Sequence, residues 1–256
     1  MTVLVVSIAV VYGLLVGSFL NVAIHRVPAG ASVIAPRSSC PRCETAIAGR
    51  DNVPVVSWIL LRGRCRTCAE PISVRYPAVE AVTGIAFGVM ALRFGWSWEL
   101  PAFCAFAAGL IAVSAVDLDC RRIPTRILQA TAAVGLPWLA VDAAIAADPW
   151  PAIRVLLGAA GSYGLLFAIH VASPKGLGFG DVRLAGLMGG FLGWLGPLHP
   201  ALGLLAGFFF GSVMGAMVMV AGRGGRTTPI PFGPFLAAGA GLAVLVGDPI
   251  VTWYVG

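Results

Sequence analysis

Lys175-Gly176-Leu177-Gly178-Phe179-Gly180-Asp181-Val182-Arg183-Leu184 lies between two long apolar runs of the chain. Its reading decides the fold. A carboxylate stands where the chain re-enters apolar surroundings, and an ionisable group at such depth is costly enough to mark a functional site. Gly176, Gly178 and Gly180 give the backbone freedom to turn and leave room for a second backbone to approach. Taken alone, the segment also describes a flexible interhelical loop whose aspartate merely caps the next helix. A second acid, Asp117, at the end of another apolar run, favours the functional reading.

Working outward, the apolar runs dominate. Of 256 residues 59% are hydrophobic and only 11% charged, against roughly 25% charged in a soluble domain. The chain is an all-α polytopic membrane protein by this measure. Eight apolar stretches can be drawn, at about 3–25, 77–95, 99–116, 127–147, 152–172, 182–199, 201–221 and 232–254, each near the ~20 residues that a spanning helix needs. They are rich in Gly and Ala, which lets membrane helices approach closely. Residues 2–24 carry no charge and no basic residue precedes them, so the first stretch is expected to be a span rather than a removable signal peptide.

Charge placement gives the orientation. The formal net charge of +6 would suit a nucleic-acid partner, but in a membrane protein the position of each basic residue matters more than the total. With the N-terminus outside, 15 of the 17 Lys and Arg fall on inner segments, leaving Arg93 and Arg154 outside. The bilayer is thus the expected partner, and no nucleic acid is. Asp117 and Asp181 both come to the cytoplasmic face. The expected organisation is a first span over 1–25, a polar cytoplasmic insert over 26–76 and a membrane catalytic domain over 77–256.

The insert contains Cys40-Pro41-Arg42-Cys43 and Cys65-Arg66-Thr67-Cys68. Two CxxC knuckles at this separation are a strong zinc signature. Four thiolates suit a closed structural site, since a catalytic zinc keeps one position open. Some 50 residues can hardly bury a core of their own, so a metal is the expected source of stability. Two disulfides are the alternative, disfavoured by the reducing compartment that the topology implies. Cys104 and Cys120 read as ordinary helix residues.

Around the second acid the sequence runs Val116-Asp117-Leu118-Asp119-Cys120-Arg121-Arg122-Ile123-Pro124. Pro124 should stop or kink the span. Asp117 and Asp119 are two apart and point away from each other on a helix. Asp117, nearer the apolar run, is the better candidate to face Asp181, and Asp119 is better placed to pair with Arg122. Two carboxylates in one poorly solvated site cannot both ionise, which leaves a protonated acid beside an ionised base. Such a pair can activate water against an amide without a metal or covalent intermediate. Two unrelated helix-end acids, each paired with local arginines, remain an alternative at this point. No Ser-His-Asp arrangement is legible, and His25, His170 and His199 all stand near span ends. Glu80 is a further candidate polar group, or simply a carboxylate in a helix's first turn.

Taken together, these residues closely resemble the type IV prepilin peptidases, membrane aspartic proteases also called leader peptidases/N-methyltransferases. The resemblance covers nearly the whole chain. It includes Gly17-Ser18-Phe19-Leu20-Asn21-Val22, Asn52-Val53-Pro54-Val55-Val56-Ser57-Trp58, Arg75-Tyr76-Pro77-Ala78-Val79-Glu80 and both CxxC pairs. It continues through Asp117 with Pro124, Gly178-Phe179-Gly180-Asp181 and Ile230-Pro231-Phe232-Gly233-Pro234. A GxGD tetrad by itself is weak and is shared by presenilin-like proteases; beside the double CxxC insert it is specific.

The resemblance implies removal of a basic leader from prepilins or pseudopilins at the cytoplasmic face of the bacterial inner membrane. Methylation of the new N-terminus by S-adenosylmethionine is implied too, although no cofactor-binding fingerprint is legible. Asp117 and Asp181 take the place of the catalytic aspartates, with Gly178, Gly180 and Pro124 in the supporting loops. Two departures stand out. Thr125 replaces the usual acid or amide after the proline, and Arg122-Ile123 replaces the usual apolar pair before it. A proton-coupled transporter would use the same acids as a relay, and a non-catalytic assembly factor would not need them.

Overall fold

The computed structural model describes residues 1–174, 176–222 and 230–255. Lys175, Arg223 and Arg226, used above for the motif and the orientation, lie outside the described residues. Within the described residues the chain forms α1 (Thr2–Arg26), a 3-10 turn (Gly49–Asp51), α2 (Val56–Leu60), α3 (Arg75–Phe94), α4 (Glu99–Cys120) and α5 (Thr125–Ala146). It continues with α6 (Trp150–Ala172), α7 (Phe179–Leu195), α8 (His199–Val220) and α9 (Gly233–Val255). Seven of these helices are long and apolar enough to cross a membrane: α1, α3, α4, α5, α6, α8 and α9. The eighth expected stretch is α7, whose 17 residues span about 26 Å at 1.5 Å per residue, a little short of the ~30 Å hydrocarbon core.

The chain packs as two compact units, Met1–Leu100 and Pro101–Gly256. In the first, α1 lies against α3 with almost no space between them. A Cβ on Gly13 would stand 2.8 Å from the Thr83 carbonyl, and one on Gly17 2.7 Å from the Glu80 Cα. Asn21, nearly buried, donates its side-chain amide to the Tyr76 carbonyl at 3.1 Å. Small residues bring the backbones together, and a polar bond then fixes the register.

The insert is fastened to this helix pair. Glu80 sits in the second turn of α3, not the first as its distance from Pro77 suggested, because the helix begins at Arg75. It is buried, and its Oε2 accepts the Val55 N–H at 2.7 Å. Val55 has a positive φ of 60°, an uncommon conformation for a β-branched residue, held here by that bond. Trp58 lies over Gly63, where a Cβ would stand 2.8 Å from its ring, and donates Nε1–H to the Ile72 carbonyl at 3.0 Å.

In the second unit, aromatic side chains join α4 to α7. Phe106 and Phe191 stack with centroids 4.5 Å apart, and Phe103 meets Phe191 edge-on at 6.0 Å. All three rings are buried. Each such aromatic contact adds about 0.5–1.5 kcal/mol beyond area burial. Close glycine contacts join α6 to α7, where a Cβ on Gly158 would strike the Gly189 carbonyl, and α8 to α9, where one on Gly239 would strike the Gly203 carbonyl.

Candidate active site

From Phe106, α4 runs eleven residues to Asp117; from Phe191, α7 runs ten back to Asp181. At 1.5 Å per residue these are about 16 and 15 Å. The ring stack between antiparallel helices thus levels the two aspartates at one end of the unit. Asp117 is 5% exposed and Asp181 9%. Asp119 is exposed, the division that a two-residue step on a helix predicts.

Each carboxylate is held by a helix start. Asp181 lies in the first turn of α7, and its Oδ2 accepts the N–H of Gly178, the residue before the helix, at 3.2 Å. Asp117 lies in the last turn of α4, which continues past the end of its apolar run, and its Oδ2 accepts the N–H of Gly233 at 2.8 Å. Gly233 opens α9. A helix start presents unpaired N–H groups and the positive end of the helix dipole, so it suits a carboxylate. Any side chain at Gly233 would intrude, since a Cβ there stands 2.9 Å from Asp117 Oδ2. The sequence held this residue within a motif but offered no role for it. Its signal was a glycine followed by Pro234, a helix-start pairing.

The two loops also meet. A Cβ on Gly180 would stand 2.9 Å from the Ile123 Cβ, so this glycine is required by the side chain that precedes Pro124. Pro124 itself is extended and precedes α5 rather than lying within it. Thr125, the departure noted above, accepts a hydrogen bond from Arg183 Nη1 at 2.5 Å, and the Arg183 guanidinium lies 4.5 Å from the Phe179 ring centre. His170, at the end of α6, donates Nδ1–H to the Leu177 carbonyl at 2.7 Å. The GxGD turn is thus gripped from α5 and α6, by groups whose spacing in sequence gave no hint of the contact.

In the first unit, the four cysteines converge. The Sγ atoms of Cys40, Cys43, Cys65 and Cys68 all lie within 4.8 Å of one another. Cys40 to Cys68 is 3.7 Å and Cys43 to Cys65 is 4.0 Å. A tetrahedron of 2.3 Å Zn–S bonds has edges of about 3.8 Å, whereas a disulfide needs about 2.05 Å.

The two knuckles repeat each other with an offset of 25 residues. Cys40 N–H donates to Thr45 and Cys65 N–H to Glu70; Glu44 N–H donates back to Cys40 and Ala69 N–H to Cys65. Glu44 and Ala69 both turn through positive φ, at 57° and 58°. Isolated bridges Ser39–Ala46 and Arg64–Pro71 close the two loops. The Thr45 hydroxyl and backbone pull the Cys43 thiol down to about 6, and the backbone of Cys68 and Thr67 lowers that of Cys65. At Cys68 a backbone bond from Glu70 favours the thiolate, but desolvation and the neighbouring sulfurs outweigh it and push the thiol up to about 12. Four sulfurs this close resist full ionisation on their own, and a bound cation inverts that balance. The donor set fits a structural zinc.

A polytopic helical membrane protein with two levelled, buried aspartates and a separate four-cysteine centre is the class so defined. Comparison with known proteins gives the family. The Bacterial Peptidase A24 N-terminal domain matches residues 11–94, and the Type IV leader peptidase family matches residues 104–220. A Bacillus subtilis protein named prepilin leader peptidase/N-methyltransferase is 38% identical, with 97% of each chain covered. Proteins of the same name from Stutzerimonas stutzeri and Pseudomonas aeruginosa are 35% and 32% identical; 96% of this chain aligns with each, over 92% and 91% of theirs. No solved structure matches. The chain belongs to the type IV leader peptidase family.

Proposed function

We propose that this chain is a membrane aspartic endopeptidase that removes the basic leader from type IV prepilins or pseudopilins at the cytoplasmic face of the inner membrane. The observation that carries this reading is the pair Asp117 and Asp181, buried and level on antiparallel helices, in a chain of this family. The pair shares one proton. The ionised carboxylate takes a proton from water as its oxygen attacks the scissile carbonyl, while the protonated one donates to the developing oxyanion. As the tetrahedral intermediate collapses, the carboxyl protonated by water gives its proton to the departing amine and the other carboxylate takes back the proton of the collapsing hydroxyl, so the pair returns to its starting state. Each Oδ2 is already committed to a backbone N–H, so orientation is fixed before substrate arrives.

The orientation rests on the 15-to-2 distribution of basic residues. The same reading assigns residues 1–25 to the first span, 26–76 to a zinc-stabilised insert on Cys40, Cys43, Cys65 and Cys68, and 77–256 to the catalytic membrane domain. N-methylation of the new terminus by S-adenosylmethionine is carried by the names of the relatives; transfer of labelled methyl to the cleaved pilin is its test. For the peptidase step, Asp117→Asn and Asp181→Asn are assayed separately on a prepilin in detergent. Each is expected to bind the substrate yet lose at least about 100-fold in turnover. Normal cleavage by either variant overturns the assignment, as a transporter or assembly role would predict.

A further inference from the structure

The far end of α6 from His170 and the GxGD turn carries a feature with no part in peptide hydrolysis. A groove of about 320 Å³ runs beside α6 and is bordered by the end of α7 and the start of α8. Its α6 side is a stripe of Trp150, Arg154, Leu157, Gly161 and Leu165, each about one turn beyond the last. Pro200 and Leu204 face it from α8. From Arg154 to Leu165 is about 16 Å, roughly half the ~30 Å hydrocarbon core and so the depth of one leaflet.

Arg154 stands at the rim. Its Nη2 donates to the Trp194 carbonyl at 3.0 Å, but its Nε is buried with no acceptor. Among the described residues no carboxylate pairs with it. One neutral carbonyl does not balance a guanidinium that is half withdrawn from water, and a charge so placed without a counter-ion is costly. Below it the groove is apolar and open: a Cβ on Gly161 would find no atom within 4 Å. A cation above a leaflet-deep apolar channel matches a phosphate carrying an acyl chain, and guanidinium is the side chain best suited to phosphate.

We infer that this groove is a phospholipid site, with the phosphate on Arg154 and one acyl chain along Leu157, Gly161 and Leu165. It rests on α6 and α8 crossing a bilayer and not on the peptidase reading. The test is native mass spectrometry of the full chain in detergent, titrated with dioleoyl phosphatidylglycerol. The wild type is expected to hold one lipid after mild activation. Arg154→Gln and Gly161→Phe are each expected to cut that occupancy at least tenfold. Gly164→Phe is the control, since it places the same bulk on the same helix in open space and outside the groove. It keeps the lipid and shows that a large side chain on α6 does not unfold the protein. A wild type that holds no lipid overturns the proposal. So does an adduct of phosphate mass alone, or a lipid retained by both groove variants.

Discussion

At the scale of single residues, the site is defined by where side chains are missing. Gly233 gives its N–H to Asp117 from a distance that no other residue can adopt without displacing the carboxylate. Gly233→Ala is expected to lower kcat roughly 10- to 100-fold with helix content unchanged, because small misplacements of a catalytic group are amplified in rate. Circular dichroism and a kcat/KM comparison on a prepilin check it; a kcat within twofold of wild type removes the role given to this glycine. Gly180 supplies a second case with its own rescue. Gly180→Val drives two methyls into Ile123 and should lower turnover at least about tenfold. Adding Ile123→Gly removes the Cβ that stands closest to this position, and the double variant should recover most of the loss. A double variant no better than Gly180→Val shows that the glycine serves backbone conformation instead.

At the scale of elements, the long helices were legible because apolar length alone specifies them, and their ends agree with the apolar runs to within about four residues. Asp117 and Asp181 were legible as interruptions of such runs. The loops between them were not. The bond of Arg183 to Thr125 joins residues 58 apart, and that of Asp117 to Gly233 joins residues 116 apart; no periodicity records such pairings. The kinship of the two cysteine knuckles was hidden for a different reason. It lies in backbone turns at Glu44 and Ala69, whose side chains have nothing in common. This symmetry makes the insert depend on all four sulfurs together. One zinc per chain is expected, and Cys40→Ser or a strong chelator should remove it. Because Trp58 lies over Gly63 and donates to Ile72, on either side of the second knuckle, its emission should shift to the red on metal loss. The long helices should persist, since apolar burial rather than metal holds α1 to α3. Unchanged Trp58 emission in a zinc-free preparation overturns the structural role of the metal.

At the scale of the whole molecule, the number of crossings decides which groups share a face. The insert follows the first span, and Asp117 ends the third, so two crossings separate them and both fall on one side of the membrane if α3 and α4 each cross. The 15 basic residues counted for that side would carry it to the cytoplasm, the face at which a basic leader is held back during insertion. Alkaline phosphatase, active only outside the cytoplasm, is fused after Ser73, after Gly95 and after Ser173 to check this. Activity is expected only from the Gly95 fusion, on the loop between α3 and α4. A second set of fusions carries Arg62→Glu, Arg64→Glu and Arg66→Glu. Acidic residues contribute little to orientation, so these changes remove three positive charges of 15 and leave the bias overwhelming; the pattern should not move. An active fusion at Ser173 would put the aspartates and the leader on opposite faces. No arrangement of Asp117 and Asp181 within the unit could then meet the substrate proposed here.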